Sequence, residues 1–232
     1  MNPNWLGVIS AILAVPAFLV AHRFAIQKPF KTRVWLFVLA AFAAIPGTSY
    51  AVHYAHIFPE MSWYYQFRSI AGTELLMVFV GVAGGIFATL LPRLLLILPL
   101  LGSLAISVIP TLKPLIGPIP RNLYKDIWDG DVCLQTTPST CGAASTATIL
   151  KQLGVEMTEI EMATEAHSYI GGTEAWYLAR AARSRGFDVD FDFHSEFFDE
   201  VDLPAVVGVR LGVAGHFIPI LGLVSRKIQI IG

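Results

Sequence analysis

Gln135-Thr136-Thr137-Pro138-Ser139-Thr140-Cys141-Gly142-Ala143-Ala144 is the stretch on which the reading of this chain turns. From Cys141 to Leu153 the sequence is rich in alanine and stops at Gly154, the pattern of a helix with a polar start and a glycine end. A cysteine in the first turn of a helix lies near unpaired backbone N–H groups and the positive end of the helix dipole. Both favour the thiolate, which is the nucleophilic form. Gln135 lies six residues before Cys141, so a loop that folds back can bring its side-chain amide beside the sulfur. With the backbone N–H of Cys141, that amide would hold a developing oxyanion. Seventy-five residues after the cysteine, Gly215-His216-Phe217 begins an apolar, strand-like run, and His216 is the expected base. His167 at a helix end and His194 beside Ser195 and Glu196 are weaker candidates. Each of these residues alone has an ordinary structural role; their order, Gln then Cys then His, sets them apart.

That order resembles the papain-like cysteine peptidases that process bacteriocin precursors, the double-glycine leader peptidases. The resemblance covers roughly residues 125–232 and is carried by Gln135 and Cys141-Gly142-Ala143-Ala144, by Gly171-Gly172-Thr173-Glu174-Ala175-Trp176-Tyr177-Leu178, by Leu203-Pro204-Ala205-Val206-Val207 and by Gly215-His216-Phe217. It implies Cys141 as nucleophile, His216 as base and Gln135 as oxyanion donor. It also implies a peptide substrate cut after a small-residue pair such as Gly-Gly, with no cofactor and no metal. The family places an Asp or Asn about seventeen residues after the histidine to orient the imidazole. This sequence ends at Gly232, sixteen residues after His216, without one. The expectation is a domain truncated just before its orienting residue, and therefore a poor catalyst that still binds peptide.

The same half holds other local signals. Thr158 to Glu161 is a capping box opening a second helix. Glu174–Arg185, stopped by Gly186, reads as a third. Phe187 to Phe193 alternates apolar and acidic residues as a half-buried strand does, and 204–211, 216–224 and 227–231 read as further strands. Helices followed by an antiparallel sheet imply an α+β domain.

The first half is different in kind. Mean hydropathy over the whole chain is +0.62 and only 14% of residues are charged, which is too apolar for an ordinary soluble domain. Residues 1–121 carry a net charge of +6 and residues 122–232 a net of −7. Apolar runs at 5–21, 34–52, 73–91 and 94–109 approach the length of ~20 residues that crosses a bilayer. The first is not expected to be a cleaved signal, because Met1-Asn2-Pro3-Asn4 has no basic residue. Gly81 and Gly85 form a GxxxG pair that suits close helix packing. Glu74 and His53 fall at span edges and read as interfacial anchors. Four prolines in 110–120 read as a stiff extended linker. Arg23, Lys28, Lys31 and Arg33 crowd the first loop against Arg68 alone in the second, which puts the first loop in the cytoplasm and the C-terminal domain outside.

These readings combine into an α-helical transmembrane bundle of about four spans over residues 1–112, a linker over 113–124 and an α+β papain-like cysteine peptidase domain over 125–232. The expected protein is integral to a bacterial inner or plasma membrane, with a peptide or protein substrate, the lipid bilayer and a separate exporter as partners. No basic patch in the acidic half suits nucleic acid. Cys133, Cys141 and His216 lack zinc-ligand spacing. The chain has no Gly-x4-Gly-Lys-Ser/Thr run, so it carries no ATPase of the P-loop type. Two other classes stay open: a leader-peptide-binding module of the same fold without catalysis, and a different cysteine hydrolase acting on cell-wall peptides.

Overall fold

The computed structural model describes residues 3–55, 57, 61–193, 203–211, 214–224 and 227–230. Two compact units emerge. One comprises Asn4–Glu60 and Ala71–Lys113; the other comprises Met1–Pro3, Met61–Ile70 and Pro114–Gly232.

The first unit is built from α1 (Trp5–Ile26), α2 (Phe30–Tyr54), a 3-10 turn (Thr73–Met77) leading into α4 (Val78–Ala88), and most of α5 (Ile97–Ile116). Three helices, Trp5–Ile26, Phe30–Tyr54 and Arg93–Ile116, are long and apolar enough to cross a membrane; a bent pair, Ser62–Ser69 with Thr73–Ala88, brings the count to four if it is one span. The core of this unit is made of small residues. Ala21, Ala25, Ala40, Ala44, Val80, Ala83 and Ile86 pack together. The GxxxG expectation is met: a Cβ on Gly81 would lie 2.0 Å from the Ala14 carbonyl oxygen, and one on Gly85 would lie 2.2 Å from that of Phe18. Backbones this close need glycine, and small residues are what helices use to associate where lipid removes the hydrophobic drive. The register, 14 with 81 and 18 with 85, shows that α1 and α4 run in the same direction.

Polar groups mark the two ends of this bundle. At one end Arg33 donates from Nε to the Lys28 carbonyl at 2.7 Å, from one terminal nitrogen to that of Ile26 at 2.9 Å and from the other to that of Thr89 at 3.2 Å, which satisfies carbonyls at the ends of both α1 and α4. At the other end Asn4 donates to Glu74 at 3.0 Å. Glu74 is only 1% exposed, so it is not the interfacial anchor its position in the sequence suggested. The 3-10 turn is tucked in beside α2, where the Tyr50 hydroxyl donates to the Thr73 carbonyl at 2.7 Å, and takes the carboxylate inward. α5 returns to that same end: a Cβ on Gly7 would meet Thr111 at 2.6 Å, and the Lys113 N–H donates to the Tyr54 hydroxyl at 3.2 Å.

α5 also corrects the proline reading. Pro110 and Pro114 lie inside the helix, which continues to Ile116, where an extended linker was expected. Pro99, Ser103, Ser107, Pro110, Thr111 and Pro114 are buried in helical spacing, while Leu94, Ile97, Leu98, Leu101 and Ile116 face outward. Polar and proline residues inside with leucine outside invert the pattern of a water-soluble helix. Neighbouring helices in a membrane tolerate the freed backbone groups.

The second unit begins its regular structure with α3 (Ser62–Ser69) and continues after α5 with a hairpin, β1 (Ile127–Asp129) and β2 (Val132–Leu134). Then come α6 (Cys141–Gln152), α7 (Glu159–Glu165), α8 (Ala175–Arg183) and three antiparallel strands in the order β3 (Ala205–Leu211), β4 (Ala214–Val224), β5 (Lys227–Ile230). The predicted capping box of α7 is present in both directions. Gly154 and Gly186, with φ of 84° and 87°, end α6 and α8 as expected.

The segment 187–193 is not a strand. Its alternation is real, since Phe187, Val189 and Phe191 are half-buried between exposed aspartates. Its partner is α3: Phe191 and Phe193 lie 5.4 and 5.1 Å from the Tyr65 ring, and Asp190 accepts from Gln66. α3 itself rests on α8. Arg180 donates to the carbonyls of Arg68 at 2.7 Å and Ile70 at 3.0 Å, Arg183 donates to the side-chain Oε1 of Gln66 at 2.5 Å, and Trp176 packs edge-on to Tyr64 and Tyr65. A loop that the sequence assigns to the membrane half is thus part of this unit.

Candidate active site

α6 is buried along most of its length, because alanines at 143, 144 and 147 let other elements approach on several sides. Its N-cap, Thr140, does not cap it through the side chain. The Thr140 hydroxyl turns back instead, accepting from Thr137 N at 3.2 Å and donating to the Thr137 carbonyl at 3.1 Å. Cys141 is therefore the first residue of a helix whose opening N–H groups no cap side chain occupies. It is 7% exposed.

β4 packs against the same turn. A Cβ on Gly142 would lie 2.8 Å from Leu178 Cδ1 and 3.1 Å from Phe217 Cδ2, and Gly208, opposite Phe217 in register, leaves room over the ring. Ser145 donates to the Phe217 carbonyl at 3.1 Å. Gly142, next to Cys141, thus meets Phe217, next to His216. His216 pairs with Val209 in the sheet and is half-buried; its ring makes no hydrogen bond to a described residue.

Gln135 lies in the loop after β2, exposed, with Nε2 donating to the Thr137 carbonyl at 3.4 Å. That loop is tied down around it. Glu159, fully buried at the start of α7, accepts from Thr136 N at 2.8 Å and from the Thr136 hydroxyl at 2.5 Å. The Gly171 N–H donates to the Ser139 hydroxyl at 3.0 Å. Sequence reasoning treated Glu159 only as part of a helix start, and no local signal marks it, because its partner is 23 residues upstream.

The other candidates stand apart from this arrangement. His167 has φ +52° and meets Tyr177 edge-on at 4.9 Å, while His194 and Asp202 lie outside the described residues. The Asp188 carboxylate accepts from Val189 N, and Asp190 serves Gln66. Cys133 is buried, and its N–H donates to the Thr148 hydroxyl at 2.9 Å. Burial, then the charges of Glu159 and Asp126, push its thiol up to about 12. Near neutral pH it is almost wholly protonated and unreactive. Among the described residues no group of three His, Cys, Asp or Glu could hold a metal ion.

The peptidase C39 family matches residues 130–231. This half of the chain is a C39 domain. The family is the one whose residues the sequence resembles, the bacteriocin-processing type of cysteine peptidase. The chain is also similar to an uncharacterized protein of Methanothermobacter thermautotrophicus, 29% identical over 105 residues, 44% of this chain and 70% of that one. A second uncharacterized protein, from Methanothermobacter marburgensis, is 30% identical over 102 residues, with the same shares of each chain. No solved structure matches. A C39 domain of helices and an antiparallel sheet, preceded in sequence by three to four apolar helices, is what the chain comprises.

Proposed function

We propose that this chain is an integral-membrane cysteine peptidase of papain-like fold that cleaves a peptide after a small-residue pair such as Gly-Gly. The observation that carries this reading is Cys141 at the uncapped start of α6, in a turn packed against the strand that bears His216. The Cys141 thiol gives its proton to the His216 imidazole, and the thiolate attacks the scissile carbonyl. The backbone N–H of Cys141 and the Gln135 amide hold the resulting oxyanion. Collapse expels the amine, which takes the proton from His216 and leaves a thioester. Water, deprotonated by His216, then releases the acid and restores the thiol.

Iodoacetamide near neutral pH tests this directly. Cys141 should alkylate well before Cys133, and peptide hydrolysis should fall in step with Cys141 modification as followed by mass spectrometry. Faster labelling of Cys133, or full hydrolysis after Cys141 is blocked, removes Cys141 as nucleophile. One observation favours a second reading, a peptide-binding module with weak catalysis: the His216 ring has no described partner to fix its tautomer. Under that reading the protein would hold the peptide tightly and cut it hardly at all.

The bundle supports four crossings, with α1 and α4 in one direction and α2 and α5 in the other. Thr73–Ala88 is short, but 5 residues of 3-10 helix and 11 of α-helix extend about 26 Å. An even number returns the chain to its starting side, which suits a unit that contains Pro3, Met61–Ile70 and Pro114 onward. Arg23, Lys28, Lys31 and Arg33 put the loop between α1 and α2 in the cytoplasm, which after four crossings leaves the C39 domain outside, in reach of peptides delivered by a separate exporter. An alkaline phosphatase fusion after Arg226 should therefore be active. A silent fusion, with a fluorescent cytoplasmic reporter lit at the same site, would overturn this orientation.

A further inference from the structure

Glu159 takes no part in the reaction above, yet it is a carboxylate with 0% exposure whose two oxygens both serve one residue. Burying a carboxylate is costly unless hydrogen bonds replace water. Helix capping does not account for it, because Thr158 and Glu161 already close the box and Glu161 reaches back to Thr158 N at 2.9 Å. Glu159 instead reaches outward from a fixed platform. Its own N–H donates to Asp126 at 3.0 Å, which pins the first residue of α7 from the other side.

The residue it holds, Thr136, directly follows Gln135. Further along, Thr137 and Thr140 bond each other and Ser139 accepts from Gly171. The backbone on the C-terminal side of Gln135 is therefore fixed, while the Gln135 side chain is exposed and makes one long bond of 3.4 Å to the Thr137 carbonyl. An oxyanion donor works best when little has to reorganise as charge develops, and a fixed loop supplies part of that: the backbone that carries the amide is already in place, and only the weak bond to Thr137 has to give way.

The geometry points to Glu159 as a positioning residue for catalysis: through its paired hydrogen bonds to Thr136 it sets where the Gln135 amide meets the oxyanion. This rests on the reading of Gln135 as oxyanion donor. Glu159 acts through Gln135, so its effect should fall on kcat and should vanish when the amide is gone.

The test is a double-mutant cycle on the full chain in detergent, with a Gly-Gly-containing peptide as substrate. Gln135→Ala should lower kcat about 10²–10³-fold, the usual effect of losing one such donor. Glu159→Ala should lower kcat about 10–100-fold with KM within about threefold, and in the Gln135→Ala background it should cost less than about threefold more. Glu159→Gln keeps an acceptor for Thr136 N–H and should recover most of the rate. If Glu159→Ala does not fold, Thr136→Ala and Glu159→Gln carry the same comparison, each with smaller losses that disappear without Gln135. Equal losses in both backgrounds, or a loss confined to KM, would overturn the role of Glu159 and leave Gln135 in place. A Gln135→Ala enzyme with normal kcat would sink both assignments together.

Discussion

Cys141→Ala should lower peptide hydrolysis by at least about 10⁴-fold, because no other group in the site can form the thioester and only the oxyanion donors and binding would remain. The thermal midpoint should change little. Cys141 is a small residue at a helix start, and alanine suits the helix. Cys133→Ala is the matched control: its thiol, pushed up to about 12, is chemically silent, so turnover should stay within about threefold of the parent. Steady-state hydrolysis and thermal unfolding of the three proteins in one detergent give the comparison. A Cys141→Ala protein that keeps more than about 1% of turnover would mean the chemistry lies elsewhere.

Gly81→Leu should be the most damaging single substitution in the helical unit, lowering its stability by about 3 kcal/mol or more. Any side chain there meets the Ala14 carbonyl oxygen at 2.0 Å, an atom of the α1 backbone that cannot turn aside. Gly85→Leu should behave alike, since its Cβ would meet the Phe18 carbonyl oxygen at 2.2 Å. The helices must separate, and Asn4–Glu74 and Arg33–Thr89, at opposite ends of the α1–α4 pair, would separate with them. Gly102 is the contrast: nothing lies within 4 Å of a Cβ there, so Gly102→Ala should be neutral or slightly stabilising. Melting of the detergent-solubilised variants decides this. A Gly81→Leu protein that melts with the parent would dissolve the α1–α4 contact.

What could be read from the sequence was whatever local chemistry sets. The Thr158–Glu161 box, the glycine stops at 154 and 186, the Gly81–Gly85 pair and strands β3 to β5 all carry their own signals. The β1–β2 hairpin was missed, although Asp129-Gly130 between two short apolar runs is the familiar signature of a tight turn. Misreadings arose where a distant partner decided the outcome. Phe187 to Phe193 has the period of a strand, but the surface that accepts its apolar side is an aromatic helix more than a hundred residues upstream. Pro110 and Pro114 have the local chemistry of a linker, but neighbouring helices hold them in α5. Within the candidate site, Cys141, His216 and Gln135 are distinguished by their spacing. Glu159 has nothing to distinguish it until the fold places Thr136 against it.

α3 carries a consequence for how this protein is made. Its anchors, Arg180 and Arg183, lie 110 to 117 residues further along the chain, so α3 leaves the ribosome long before anything can receive it. Between the two come α4 and α5, which under the proposed topology must enter the bilayer and return before α8 can close over the Tyr64–Tyr65 surface. Contacts so distant in sequence form late and slowly. Under that topology α3 and α8 can meet only if α4 and α5 both cross: a chain in which one of the two fails to insert strands α3 across the membrane from α8 and leaves Trp176 uncovered. A fragment cut to residues 125–232 would carry the same defect into solution, with the face made by Trp176, Arg180 and Arg183 bare and prone to aggregate. Protein made without residues 1–124 should therefore be sought in inclusion bodies first.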